Sequence, residues 1–272
     1  MLSCAVLLVK AKYNGKWPYA IKYLIEDVEV GDHVWIHQKG EYYLCKAEEK
    51  ILFGKSIDDE FLSLDLGHAR KAKWLNIPER YVSGSIQRGT IARRSIQKIN
   101  ILKKEEDYHD FIFNKLSDDQ NWQPDIKIDE LSRLVSKIKI DNLFSLMSSD
   151  DFEDVISAYL QSKEWVLIKS TCFRSKPKYE FSMLNKESKV CHVQVKAGTP
   201  SCRLRPSDYS TNERDEIVFL FSTHKNPYPG KSINGVNTLA HEDVFEWVKE
   251  NVWSLTTPLK LRLWIFLKLK QA

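Results

Sequence analysis

Cysteine is sparse and scattered in this chain. The five are Cys4, Cys45, Cys172, Cys191 and Cys202, and no two form a CxxC pair. That excludes a zinc-ribbon or disulfide framework and leaves free thiols as the expectation. The seven histidines are equally dispersed. His33 and His37 are four apart in "GDHVWIHQKG", but the local period is two. At strand spacing they stand about 13 Å apart, too far to share one metal ion. A long uncharged apolar run is also missing. "CAVLLV" near the start is too short to span a bilayer, and no small-residue cleavage site follows it. The expectation is therefore a cytoplasmic protein with no membrane partner. There is no internal repeat and no low-complexity tract.

What is present is ordinary globular material in sufficient length. With 272 residues, 43% apolar and 29% charged, the chain can form two domains, each with its own core. The net charge of +4 conceals an uneven distribution. Residues 66–104 carry ten Lys/Arg against one acid, Glu79, whereas residues 105–154 carry fourteen acids against five Lys/Arg. A basic block of this kind is either a solvated face or the footprint of a phosphate-binding surface.

Pattern along the chain divides it in three. Over 1–104, "SCAVLLVKAKY", "GDHVWIH", "YYLCKAEE" and "ARKAKWLNIP" alternate as strands, with a hairpin turn at Gly40. "WPYAIKYLIE" suits a short helix with Pro18 near its start. "ERYVSGSIQRGTIARRSIQKI" is rich in turn residues. Short strands closing on one another predict an α+β domain built as a small β-barrel. Over 105–145, helical spacing in "EEDYHDFIFNKL" and "IDELSRLVSKI" predicts an acidic helical linker. Over 146–272 the order is helix, three strands, a short connection, a strand and a helix. This order belongs to the α/β class. Its first helix is capped near Ser149 and Asp150, and it carries an apolar stripe of Phe152, Val155, Ile156, Tyr159 and Leu160. At the C-terminus, "LKLRL" alternates and favours a strand over 259–263. Wound as a helix, its leucines would surround the axis and leave no polar face for a membrane surface. The segment is therefore expected to pack on the last domain and bury Trp264 and Phe266.

The stretch "VCHVQVKAG", residues 190–198, carries the chemistry. Alternation puts Gln194 and Lys196 on one face of a strand, beside a break. Taken alone, such a triplet is read as a half-solvated strand. Glu180, however, is a lone acid on the preceding apolar strand "KYEFSML", close enough in sequence for a tight turn between the two. Glu153 flanks the packed face of the helix before it. These residues in this order, "FE", Glu180 and Gln194-Val195-Lys196, resemble the PD-(D/E)XK nuclease superfamily. They look most like its Mrr-type restriction endonuclease branch, in which glutamine replaces the second acid.

The resemblance covers roughly 146–250. It implies a restriction-endonuclease-like fold with an αβββαβ core, and Mg²⁺, or Mn²⁺, as cofactor, held by Glu180, Gln194 and Glu153. Lys196 would orient the attacking water and stabilise developing charge. Those residue types suit the task, since a hard cation takes oxygen ligands and phosphodiester cleavage needs charge neutralised at the phosphate. Two features depart from the family pattern. Glu180 stands where Asp is commoner, and "RLRPSDYSTNERDE" is short for the helix usually found there. A plain cross-strand pair of Glu180 and Lys196 is the alternative.

"GDHVWIHQKGEYYLCKA" with "RKAKWLNIP" is similar to PUA-like domains, including EVE and YTH-type readers of modified bases. Trp17, Trp35 and Trp74 would then be candidates for holding a flipped base, or else barrel core. Arg88, Arg93, Arg94, Lys98, Arg70 and Lys73 would contact the nucleic-acid backbone. The whole reads as an endonuclease that cleaves DNA, in preference to RNA, of restriction or phage-defence type. Two copies would pair to cut both strands. The rival reading is a nucleic-acid-binding protein whose nuclease-like fold does not cut.

Overall fold

The structure is a computed structural model that describes residues 28–50, 72–91, 98–99, 101–172, 178–198, 202–209 and 216–269, with the backbone of short strands at 5–6, 52–53 and 68–69. The chain forms two units, Met1–Val82 with Gly89–Gln123, and Ser83–Arg88 with Pro124–Ala272. The stretch 105–145 is thus shared between the two units and does not stand as a separate linker.

In the first unit, β1 (Ala5–Val6), β4 (Leu52–Phe53) and β5 (His68–Ala69) make a small antiparallel sheet in the order β1-β5-β4. A second antiparallel sheet has β3 (Glu41–Ala47) between β2 (His33–Gln38) and β6 (Ala72–Ile77). The β2–β3 hairpin turns through Lys39 and Gly40, both at positive φ, where glycine pays no Cβ penalty. Leu44, Leu75 and Ile77 are buried in this sheet. Helix α1 (Gly84–Ile91) begins in the second unit, and α2 (Lys103–Asp118) lies in the first. Helix α2 buries Tyr108, Ile112 and Leu116, and its Asp110 accepts from Lys46 at 2.6 Å. Tyr108 Oη donates to the Tyr81 carbonyl at 2.7 Å.

The expected barrel does not form among the described residues: the sheets are open. Strand period predicts strands but not which edges meet, and helix α1 stands where turn-like residues are expected. Gly84 at its start lies against the Met147 carbonyl so closely that a Cβ would overlap it. Its glycine therefore serves a close approach inside a helix, and not a turn.

The second unit is a five-stranded mixed sheet flanked by helices α3 (Ile128–Val135), α4 (Ile140–Leu146), α5 (Ser149–Gln161), α6 (His241–Glu250) and α7 (Thr257–Lys268). Its strands are β7 (Trp165–Leu167), β8 (Phe181–Asn185), β9 (Val190–Lys196), β10 (Glu216–Ser222) and β11 (Val236–Thr238). They are ordered β11-β10-β9-β8-β7, with β9, β10 and β11 parallel and β7, β8 and β9 antiparallel. The apolar run "EIVFLFS" fills interior strand β10, as a two-sided burial requires. One face buries Met183, Val193, Val195 and Phe221, with Phe152 of α5 5.9 Å from the Phe221 ring. The connection from β9 to β10 contains only a single 3₁₀ turn, Pro206–Tyr209, among its described residues.

The C-terminal segment corrects the strand expectation. It is helix α7, capped by the Thr256 hydroxyl on the Leu259 amide, with Pro258 in its first turn. Leucines on all sides are what a helix buried on most of its surface needs. Phe266 is buried as expected, while Trp264 is half-buried. Within α7, Arg262 is 2% exposed and binds both carboxylate oxygens of Asp151, at 2.9 and 2.7 Å. Asp151 also closes the capping box of α5 with Ser148, one residue before the expected cap at Ser149.

Candidate functional site

The register of β8 on β9 builds the site. Phe181 lies opposite Val193, and the Glu180 N–H donates to the Val193 carbonyl at 2.8 Å. Alternation then puts Glu180 and Ser182 on the same sheet face as His192, Gln194 and Lys196. Lys196 ends β9 opposite Ser222, the last residue of parallel β10. The cluster therefore lies at the carboxyl ends of parallel strands, where open α/β sheets commonly place their ligands.

Glu180 Oε1 is the hub. It accepts from Gln194 Nε2 at 2.6 Å and from Lys196 Nζ at 3.2 Å. Gln194 is buried, and the same amide nitrogen also donates to the Val195 carbonyl at 3.1 Å. Its nitrogen, not its oxygen, thus faces Glu180. The Lys196 side chain is half-exposed, and as a surface pair with Glu180 it would contribute at most about 1 kcal/mol. Glu153, half-buried in the second turn of α5, is the perturbed group. Its carboxyl is pushed up to about 7, first by burial and then by the charges of Glu180, Asp150 and Asp154, with Lys196 opposing.

Two carboxylates and one amide form a hard-oxygen donor set of the kind Mg²⁺ takes with water completing its shell. The raised Glu153 fits a cation, because a cation would offset both its burial and the neighbouring negative charges. Among the described residues no group of three or more His, Cys, Asp or Glu side chains is placed to hold a metal ion. The fit therefore rests on two acids with Gln194, whose amide would have to present its oxygen.

Of the other expected site residues, Arg88 lies near this cluster. Its guanidinium donates to the Met147 carbonyl and stands 5.9 Å from the ring of Phe152, the neighbour of Glu153. Its aliphatic stem lies beside Gly198, two residues after Lys196. Lys73 and Lys98 are exposed. Trp35 packs edge-on to His109 at 5.3 Å, and Trp74 is half-buried on edge strand β6, opposite Cys45. Arg70, Arg93, Arg94 and Trp17 lie outside the described residues. Among the described cysteines, Cys45, Cys191 and Cys202 are buried and Cys172 is exposed, all as free thiols. His33 and His37 do not converge: His33 lies against His109 and Phe113, while His37 stacks on Tyr42.

Sequence reasoning missed two contributors. One is the Ser182–His192–Glu216 row across three strands. Ser182 Oγ and His192 Nδ1 are 2.8 Å apart, and His192 Nε2 lies 3.4 Å from Glu216 Oε1. The other is Asp151–Arg262, which anchors the end of α5 that carries Glu153. The first had a signal in the shared alternation of His192 with Gln194. The second pairs residues 111 positions apart and had none. No described helix is long and apolar enough to cross a membrane. No family model, curated protein or solved structure matches the chain.

Proposed function

We propose that the chain is a metal-dependent nuclease of the PD-(D/E)XK type, similar to the Mrr-type branch, that hydrolyses phosphodiester bonds in DNA. The observation that carries this reading is Glu180 joined to Gln194 and Lys196 at one sheet end, with the Glu153 carboxyl pushed up to about 7 beside them. Glu180, Glu153 and Gln194 are the residues that would hold Mg²⁺ or Mn²⁺. Such an ion neutralises phosphate charge and lowers the pKa of a bound water. Lys196 offers its ammonium to Glu180 and, half-exposed, has donors left for a phosphate oxygen or an attacking water. Arg88 supports the same end of the sheet and adds a fixed positive charge there. On a duplex, two copies would be needed for two cuts.

One feature favours the rival, a binding protein that does not cut. Glu180 already takes two donors from its own chain, which satisfies it without a cation. Incubating the protein with plasmid DNA in Mg²⁺ or in chelator separates the two. Strand breakage should require the metal, and Lys196→Ala should abolish it while DNA binding persists, because its role lies in the transition state. Cutting by Lys196→Ala at the wild-type rate would sink the assignment.

A further inference from the structure

Next to the candidate site lies an aromatic stack with no role in the scheme above. Tyr179, the residue before Glu180, stacks on His192 with ring centroids 4.6 Å apart and planes at 16°. His192 is held at one ring nitrogen by Ser182 and faces Glu216 with the other, so its plane is fixed. Tyr209, from the 3₁₀ turn, tilts against Tyr179 at 6.2 Å and 51°. The exposed Lys178 ammonium stands 5.6 Å from the Tyr179 ring and 5.8 Å from the Tyr209 ring. Both tyrosines are half-buried, packed at the margin of the cluster formed by Leu204, Val218, Leu220 and Val236. Burial first, then Asp208, Tyr179 and Glu180, raise the Tyr209 phenol's pKa, which places the stack within reach of the hub carboxylate's charge.

We infer that Tyr179, Tyr209 and Lys178 form a stacking platform for an unpaired nucleobase beside the candidate site, so that the substrate is single-stranded DNA or DNA with an unpaired stretch. This rests on the nuclease reading for its substrate class. Aromatic faces take any base in stacking, and a cation at their rim pairs with the adjoining phosphate. A paired base cannot offer its face, because the duplex already stacks it on both sides. Rigid support from His192 means the rings are placed before the base arrives, which lowers the ordering cost of binding.

The test measures binding of the full chain to oligothymidylate, and to the same strand paired with oligoadenylate, in chelator so that nothing is cut. A fluorescent purine analogue placed in the single strand reports stacking directly. Single strand should bind more tightly than duplex and quench the analogue. Tyr179→Leu and Tyr209→Leu keep the apolar packing and remove the π-face. Each should weaken single-strand binding on the order of tenfold and reduce quenching, whereas Tyr179→Phe and Tyr209→Phe should retain both. Equal affinity for single strand and duplex, or Leu variants that bind and quench like wild type, would overturn the inference. A protein that shows the stacking signature yet cuts no DNA with Mg²⁺ counts against the nuclease reading alone. One that cuts duplex DNA while its Leu variants bind normally counts against the platform alone.

Discussion

Replacing Glu153 by Gln should stabilise the protein at high pH and leave it unchanged at low pH. The Glu153 carboxyl is raised from 4.5 to about 7 by burial and by Glu180, Asp150 and Asp154. Below 4.5 it is protonated whether the chain is folded or not, so it contributes nothing. Between 4.5 and 7 the unfolded chain loses the proton and the folded chain keeps it, so stability falls as pH rises. Above 7 the full cost is present. The shift sets a ceiling of roughly 3 kcal/mol. Because the side chain is half-buried and solvent screens part of the repulsion, the measurable cost should be roughly 1–2 kcal/mol. Glutamine keeps the shape and removes the charge. Urea unfolding of wild type and Glu153→Gln, at a pH below 4.5 and at one above 7, should give coincident midpoints at the first and a more stable variant at the second. An equal gain at both values, or a loss above 7, would refute the placement of Glu153 in a partly buried site among like charges. Adding Mg²⁺ should stabilise wild type above 7 and not the variant, since a cation relieves the same repulsion.

Arg262→Met should destabilise the second unit by roughly 3–5 kcal/mol, because it leaves the Asp151 carboxylate buried without its partner; a thermal melt reads this, and adding Asp151→Asn should recover part of the loss. Gln194→Glu puts a third acid at the site, so it should lower the melting temperature of the metal-free protein above neutral pH and tighten Mg²⁺ binding by calorimetry, with unchanged metal affinity arguing that position 194 is no ligand.

How much of this was legible in the sequence depends on the range of the interaction involved. Strands β8, β9 and β10 were readable because each carries its own period: alternation in "VCHVQVK" and a continuous apolar run in "EIVFLFS". The pairing of Glu180 with Gln194 followed from a short turn. Helix α7 was misread because "LKLRL" alternates over five residues, while the signals that settle its structure lie just before it. Thr256 caps it and Pro258 starts it. The stretch around Gly84 looks rich in turn residues, although what requires a glycine at 84 is a carbonyl at Met147, more than sixty residues away. No local pattern reports such a contact. The barrel expectation failed for the same reason: strand period predicts strands, and closure depends on which edges meet.

The amide at Gln194, rather than an acid, suits its buried position beside two carboxylates. Burial first, and then the charges of Glu180, Asp150 and Asp154, raise the Glu153 carboxyl to about 7. A third carboxylate at a position 3% exposed would have to ionise inside that field without solvent to help. Glutamine avoids this, and its N–H group donates to Glu180 at 2.6 Å. The negative charge near the sheet end is then divided between a satisfied acid, Glu180, and an unsatisfied one, Glu153. A cation would gain most at Glu153, whose carboxyl, raised to about 7, shares its proton with solvent near neutral pH. Metal binding would release that proton, and its affinity should rise with pH through 7 until Glu153 is fully ionised.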